Sequence, residues 1–204
     1  MCIRDSNLTT AWDSSTLVHD DNFTISDENQ LRSLAFKYDG TKMYVTGNET
    51  EVIQQFTLSV PWDVTSATKD STESTALTAK EGNPRSIQFN SDGTIFYIGG
   101  NDTDSIHKYT LSTPWDVSTL EFSQSYSFSA QVSSAGNSIM AGFIFTANFT
   151  KLYITQDTDS RQSQTGVNTV YEYSVACAET ITCLDASTNA DVKAIIEANV
   201  ESAK

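Results

Sequence analysis

The chain has 204 residues, with 12 Lys and Arg against 26 Asp and Glu, which gives a formal net charge of −14. So acidic a balance argues against nucleic-acid backbones and anionic membranes as partners. The sequence contains no apolar run long enough to span a bilayer and no glycine-rich dinucleotide or phosphate motif, so we expect neither membrane insertion nor a cofactor.

The start of the sequence matches only part of a repeat that recurs later in the chain. Residues 1–6 look like translated sequencing adapter, and we interpret them as a non-native tail. Asn7-Leu-Thr-Thr-Ala-Trp-Asp13 then matches Thr110-Leu-Ser-Thr-Pro-Trp-Asp116, which lies late in a repeat that the chain contains in full further on. We therefore expect a partial repeat at 7–30.

The rest of the chain is dominated by a repeat of about 53 residues. Arg32 and Arg85 are 53 apart, and so are Trp62 and Trp115. The copies are the following: 31–83 and 84–139, both complete, and 140–177, which is incomplete. A fixed period of this length indicates a repeat architecture rather than a single irregular domain.

Each complete copy has the pattern of four short antiparallel strands. Ile87 and Phe89 alternate with smaller or polar residues, which is typical of a strand, and Asp92-Gly93 suits a tight hairpin turn. Thr113-Pro-Trp-Asp116 suits a second turn. The remaining strands are predicted at Ile95–Gly99, Ser105–Leu111 and Leu120–Ser129. We name the strands A to D from the axis outward.

Four-stranded sheets repeated in this way predict an all-β fold of β-propeller blades, with a Trp of each C–D turn packed between neighbouring blades. About three blades cannot close a ring, because propellers have about 4–8. Two explanations stay open: the chain is a fragment of a longer protein, or two copies self-associate to complete one ring.

Asp39-Gly-Thr-Lys-Met-Tyr-Val-Thr-Gly-Asn48 resembles the YVTN family of β-propeller repeats, and Asp92–Asn101 and Thr150–Thr155 resemble it more loosely. The resemblance covers roughly residues 31 to 175. The Pro-Trp-Asp-Val element is not part of that motif and looks like repeats of marine bacterial and phage proteins. Since such propellers include lactonases, surface-layer proteins and binding modules, the resemblance implies the fold and leaves the activity open.

Two functions follow as expectations from this family. The first is a non-catalytic module for protein or carbohydrate interaction in a surface, secreted or virion protein, which would place the chain outside the cell. The alternative is a fragment of a lactonase-like or hydrolase-like propeller enzyme whose active site lies largely on other blades. No catalytic residue can be assigned from the sequence.

Length differences between the copies point to one face of the blades. The B–C loop and the D–A segment vary in length, and both emerge on the same face, where repeat proteins usually bind. The third copy carries eight extra residues within 160–168, so Arg161, Gln162 and Asn168 are candidate ligand-binding residues; a neutral insertion is the alternative. Arg32 and Arg85 open the innermost strands and are candidates for an anionic ligand, unless they pair with nearby acids.

Acidic residues recur in the B–C loops. The candidate calcium ligands are Asp102, Asp104, Asp157 and Asp159. Calcium requires six to eight oxygens, and each loop offers two acids, so the favoured role is a turn in which Asp and Asn bond their own backbone. His107 aligns with Gln54 and Tyr171, and we expect a solvated strand residue there.

The C-terminal part departs from the repeat. Cys177 and Cys183 bracket five residues and could form a local disulfide or remain free thiols. Residues 178–204 are predicted to form a linker and an amphipathic helix, since Thr188-Asn-Ala-Asp191 reads as a capping box before a stripe of apolar residues.

Overall fold

The structure, a computed structural model, describes residues 2–8, 13, 15, 17–28, 30–48, 52–70, 77, 80–129, 138–147, 149–158 and 168–175. These residues form thirteen β-strands in four antiparallel sheets. The leading hairpin and the first blade consist of β1 (Cys2–Leu8), β2 (Leu17–Thr24), β3 (Leu31–Phe36), β4 (Lys42–Gly47), β5 (Ile53–Leu58) and β6 (Ala67–Lys69). The second blade consists of β7 (Pro84–Phe89), β8 (Ile95–Gly100), β9 (Ser105–Leu111) and β10 (Leu120–Ser127). The third consists of β11 (Ser138–Phe145), β12 (Lys151–Thr158) and β13 (Thr169–Ser174).

Each of the first two blades is a four-stranded meander in which consecutive strands pair, as the sequence predicts. In the second blade, Ile95 of strand B pairs with Thr110 of strand C, and Leu111 pairs with Leu120 of strand D. The third blade has strands A, B and C within the described residues. The position of its fourth strand, and the predicted helix within 178–204, fall outside them.

The A–B turns have the backbone that Asp-Gly predicts. Gly40 and Gly93 adopt φ of 71° and 73°, a region that costs other residues steric strain. The Asp92 carboxylate accepts a hydrogen bond of 2.9 Å from the Thr94 amide, and Asp39 accepts the equivalent bond from Thr41 at 3.0 Å. The turn residue therefore acts locally, by fixing the hairpin.

The C–D turns have an unusual backbone at their tryptophans. Trp62 and Trp115 adopt φ of 68° and 65°. Each following Asp caps a single 3-10 turn, since Asp63 accepts the Thr65 amide at 2.9 Å and Asp116 accepts the Ser118 amide at 3.0 Å. The second turn predicted at Thr113–Asp116 is confirmed.

The cores lie between blades, because the central strands are covered on both faces. All six residues of β8 are buried. Tyr97 of this strand packs toward the third blade, whereas Phe96 and Ile98 pack toward the first. Trp115 lies at the interface of the first two blades, 5.1 Å from the Phe89 ring and 6.5 Å from the Tyr44 ring (ring centroids). The prediction of a tryptophan between blades is confirmed there.

The A strands lie side by side and cross-link the blades. The Ile87 amide donates to Ser33 Oγ at 3.1 Å, which joins the second blade to the first. The Gln88 side chain bonds both the amide (2.7 Å) and the carbonyl (3.0 Å) of Phe145 in the third blade. These contacts put strand A innermost, as expected for a propeller.

The hairpin β1–β2 precedes the first blade and begins at Cys2, so residues assigned from sequence to a tail pair with a strand. By the repeat alignment it supplies strands C and D of a preceding unit. Phe23 and Ile25 pack against Met43 and Phe56 of the first blade. In the described part of the chain, no helix is long and apolar enough to cross a membrane.

Candidate functional site

The B–C loop and the D–A segment meet on one face of each blade, which we call the loop face. In the second blade, Pro84 pairs with Gly100, and Ser105 pairs with both Gly100 and Ser127. Strand A therefore begins where strand B ends, beside the start of strand C. Residues 81–83 and 101–104 are the parts of this face contributed by the second blade.

A buried glutamate joins these two segments. Glu81 is 1% exposed, and its Oε1 accepts the amides of Asn83 and Asp102, both at 3.1 Å. Its Oε2 accepts the Thr103 hydroxyl at 3.0 Å. Because three donors from two segments converge on one carboxylate, Glu81 holds the D–A segment against the B–C loop. We call this arrangement the Glu81 latch.

The close approach of Glu81 depends on a glycine at the end of strand B. A Cβ at Gly100 would overlap the Glu81 carboxylate and the Asn83 carbonyl. The first blade repeats the arrangement: Glu28 is also buried, accepts the Gln30 amide at 2.9 Å, and occupies the space beside Gly47. The buried glutamate and the glycine beside it thus recur in the first two blades.

His107 extends the network, and the expectation that it is solvated is wrong, since it is 3% exposed. Its Nε2 lies 3.1 Å from Thr103 Oγ1, and its Nδ1 lies 2.7 Å from Ser125 Oγ on strand D. The Thr103 hydroxyl proton is used toward Glu81, so Nε2 carries the imidazole proton and donates to Thr103, while Nδ1 accepts from Ser125. Strands C and D are thereby tied to the loop face.

Burial shifts the pKa of both His107 and Glu81. It lowers the pKa of His107 to about 4, with a further contribution from the charge of Lys80. It raises the pKa of Glu81, against the hydrogen bonds from Asp102, Thr103 and Asn83, which act in the opposite direction. At neutral pH His107 is therefore uncharged. Its Nε2 lies 3.9 Å from Glu81 Oε2, and this contact is not an ion pair because the imidazole carries no charge.

Three of the ligand-binding residues predicted from sequence, Arg32, Arg85 and Asn168, lie at the same end of the blades. Arg32 is exposed and donates to Gln30 Oε1 at 3.1 Å, and Arg85 is half-buried. Asn168 is exposed just before β13. Arg161 and Gln162 lie outside the described residues, as do Cys177 and Cys183. Ligand binding by these residues stays a prediction.

The predicted loop acids occupy different environments. Asp102 and Asp157 are exposed. Asp104 is half-buried, and its Oδ1 accepts the Met140 amide of the third blade at 2.9 Å, so it bonds across the interface between the two blades. Asp159 lies outside the described residues. Within the part of the chain that the structure describes, no three His, Cys, Asp or Glu side chains converge as metal ligands.

Sequence reasoning overlooked Glu28 and Glu81, although the signal was available. The two residues are 53 apart, as are Gly47 and Gly100. A glutamate and a glycine that recur together at the period of the repeat indicate a shared structural contact. The polarity of a glutamate does not by itself indicate a buried position, since Glu is almost never buried without partners.

No family model and no curated protein matches the sequence. Among solved structures, a putative 6-phosphogluconolactonase from Bacteroides uniformis matches with a TM-score of 0.52 and 16% identity, over 83% of this chain and 46% of that one. A protein from Lactobacillus plantarum matches with a TM-score of 0.54 and 14% identity, over 89% of this chain and 46% of its own. These neighbours are β-propeller-like, so the all-β propeller fold is confirmed. The chain spans about half the length of either neighbour.

Proposed function

We propose that the chain is a non-catalytic β-propeller module, of YVTN type, which binds a protein or glycan partner through the loop face. The observation that carries the proposal is the Glu81 latch. It fixes two segments, whose lengths vary between the copies, on a rigid scaffold, and binding residues are typically presented in this way. A surface, secreted or virion protein is the setting that fits such a module.

The exposed residues of the loop face support a polar partner. They come from all three blades and include Arg32, Asp102, Asp157 and Asn168. Carboxylate, amide and guanidinium groups bond sugar hydroxyls or the polar rim of a protein interface. The formal charge of −14 disfavours nucleic acid.

The proposal is tested by screening the labelled chain on glycan and peptide arrays. A variant combining Arg32→Ala, Asp102→Ala and Asp157→Ala should lose at least about tenfold in affinity for any ligand found, since it removes several polar contacts. The matched control, Ser59→Ala with Ser112→Ala, changes exposed residues at the opposite end of the strands. Equal binding by wild type and the triple variant would contradict a role for the loop face.

A second candidate, a hydrolase, is favoured by one specific contact. Ser125 donates to the neutral His107 at 2.7 Å, and His107 is linked to Glu81 through the Thr103 hydroxyl, so a potential nucleophile, base and acid follow one another, although the acid does not bond the imidazole directly. Against it, a histidine whose pKa is about 4 is a weak base near neutral pH. Labelling by a fluorophosphonate probe that is abolished in Ser125→Ala, while Ser127→Ala still labels, would favour the enzyme over the binding module.

A further inference from the structure

Four polar side chains of the second blade form one continuous line of hydrogen bonds, which we call the polar line. Ser125 Oγ lies 2.7 Å from His107 Nδ1, and His107 Nε2 lies 3.1 Å from Thr103 Oγ1. Thr103 in turn donates to Glu81 Oε2 at 3.0 Å. Hydroxyl groups and the nitrogens of a neutral imidazole can each donate or accept, and a carboxyl oxygen can donate once it is protonated. The polar line can therefore run in either direction.

The atom at which Glu81 takes up a proton is fixed by its other contacts. Its Oε1 already accepts two backbone amides, those of Asn83 and Asp102, both at 3.1 Å. A proton on Oε1 would face these donors, whereas a proton on Oε2 points along the bond to Thr103. Protonated Glu81 would thus donate to Thr103, which reverses the direction that the ionised carboxylate imposes.

Burial separates the titration of Glu81 from that of His107. It raises the pKa of Glu81 above its ordinary value of 4.5 and lowers the pKa of His107 to about 4. As the pH falls, Glu81 therefore takes up the first proton while the imidazole stays uncharged. The cross-strand partners of His107, Ile98 and Ser125, carry no charge. The described titratable side chains that interact electrostatically with the pair are Lys80, Asp102 and Tyr109.

Protonation of Glu81 leaves four protons for the three hydrogen bonds of the polar line. A head-to-tail order is kept if each bond passes its proton one step along: from Ser125 to Nδ1, from Nε2 to Thr103, and from Thr103 to Oε2. Ser125, which is half-buried, then takes one proton from solvent. The carboxylate is neutralised, the imidazole stays uncharged, and His107 becomes the Nδ1–H tautomer. Head-to-tail order is favoured because hydrogen bonds in a chain polarise one another.

We propose that the polar line is a proton relay from solvent to Glu81, and that this relay is a pH switch which inverts the tautomer of His107. In the ionised form, Nδ1 accepts the proton of Ser125, whereas in the acid form Nδ1 donates to Ser125. The acid form therefore offers Ser125 no base and carries one negative charge fewer at the loop face. The switch lies within the chain, so it stands whether or not the loop face binds a partner.

The test reads the imidazole nitrogens of the full chain by nitrogen-15 NMR, which distinguishes the two neutral tautomers from the charged ring. The signals of His107 are assigned with His107→Gln, which leaves His19 as the other histidine. Between about pH 7 and about pH 4.5, the ratio of the Nε2–H to the Nδ1–H tautomer should fall at least about tenfold. The carbon-13 shift of the Glu81 carboxyl group should change with the same midpoint.

Variants of Glu81 and Thr103 fix or break the relay. Glu81→Gln keeps a carbonyl for the two amides and presents an NH2 donor to Thr103, so it should hold the Nδ1–H tautomer already at about pH 7. Thr103→Val removes the hydroxyl link at nearly constant shape, so the tautomer of His107 should no longer follow the titration of Glu81. Thr103→Ser is the matched control, which keeps the hydroxyl and should keep the switch.

The proposal is overturned if Glu81 becomes protonated while the Nε2–H tautomer persists, since Thr103 would then have turned its hydroxyl toward solvent. It is also overturned if the imidazole becomes charged before Glu81 takes up a proton, or if the switch survives in Thr103→Val. The Nε2–H tautomer in Glu81→Gln at about pH 7 would contradict it without any titration.

Discussion

The second and third blades fill the same positions with different side chains. In the second blade, the Trp115 ring lies over Gly93. In the third, the residue aligned with that glycine is Phe149, which adopts φ of 53°. Its own ring stacks on Phe145 at 5.1 Å and reaches Tyr97 at 6.1 Å, much as the Trp115 ring contacts Phe89 and Tyr44. One aromatic residue replaces a glycine and a tryptophan.

The loop ends differ in the same way. The second blade uses Glu81, which requires Gly100 at the end of strand B. In the third blade, the residue aligned with Gly100 is Gln156. Its side chain is buried and accepts a hydrogen bond of 2.6 Å from the Tyr171 hydroxyl. Tyr171 is aligned with His107. The repeat therefore preserves a ring between blades and a hydrogen-bonded polar group at the strand end, although different residues provide them.

The largest effect is expected from removing the ring between blades. Trp115→Ala should lower the free energy of unfolding by about 4 kcal/mol, because it leaves a cavity between the first two blades. Phe149→Ala should lower it by about 3 kcal/mol, since the smaller ring also packs between blades. Urea titration followed by circular dichroism measures both.

Phe149→Gly provides the matched control for this pair. It removes the same ring as Phe149→Ala but tolerates the positive φ, so it should be more stable than the alanine variant by about 1 kcal/mol. If the alanine and glycine variants unfold at the same urea concentration, the backbone of Phe149 carries no strain, and the equivalence with Gly93 fails.

The period of 53 predicted the strands, the Asp-Gly turns and the tryptophan between blades, because these depend on local sequence and on alignment of the copies. The packing of Phe149 between blades could not be predicted from the alignment. Phe149 is aligned with Gly93, but its ring fills the space that the distant Trp115 fills in the second blade. His107 was misplaced for a related reason: a lone histidine in a polar segment suggests solvent, whereas Ser125, 18 residues later, completes its burial. Contacts between elements decide what a repeat position does.

An intermediate effect is expected at the loop latch. Glu81→Ala should lower the free energy of unfolding by about 3 kcal/mol, because the amides of Asn83 and Asp102 lose their acceptor. Glu81→Gln keeps one carbonyl oxygen and should lose about 1 kcal/mol. Hydrogen exchange at the Asp102 amide should accelerate strongly in the alanine variant alone. Slow exchange at Asp102 in Glu81→Ala would show that the B–C loop does not depend on the latch.

The smallest effect is expected from the titration of His107, which the third blade replaces with Tyr171. The pKa of His107 is about 4 in the folded protein and 6.5 in an unfolded chain. The unfolded chain therefore binds more protons between these values, so the stabilisation is complete above pH 6.5 and is lost as the pH falls through 4. The raised pKa of Glu81 acts in the opposite sense, since its contribution is present below pH 4.5 and is lost as the pH rises.

His107→Gln isolates the histidine, because Glu81, Lys80 and Asp102 remain in both proteins and Gln54 occupies the aligned position of the first blade. Between pH 7 and pH 4, wild type should lose about 2 kcal/mol more than this variant, after allowance for solvent screening. Urea titrations at several pH values measure the difference. Parallel curves would mean that the imidazole accepts its second proton while folded, with Ser125 rotating to accept from Nδ1. The His107–Ser125 contact of the second blade would then contribute a stability as insensitive to pH as that of the Gln156–Tyr171 hydrogen bond in the third blade.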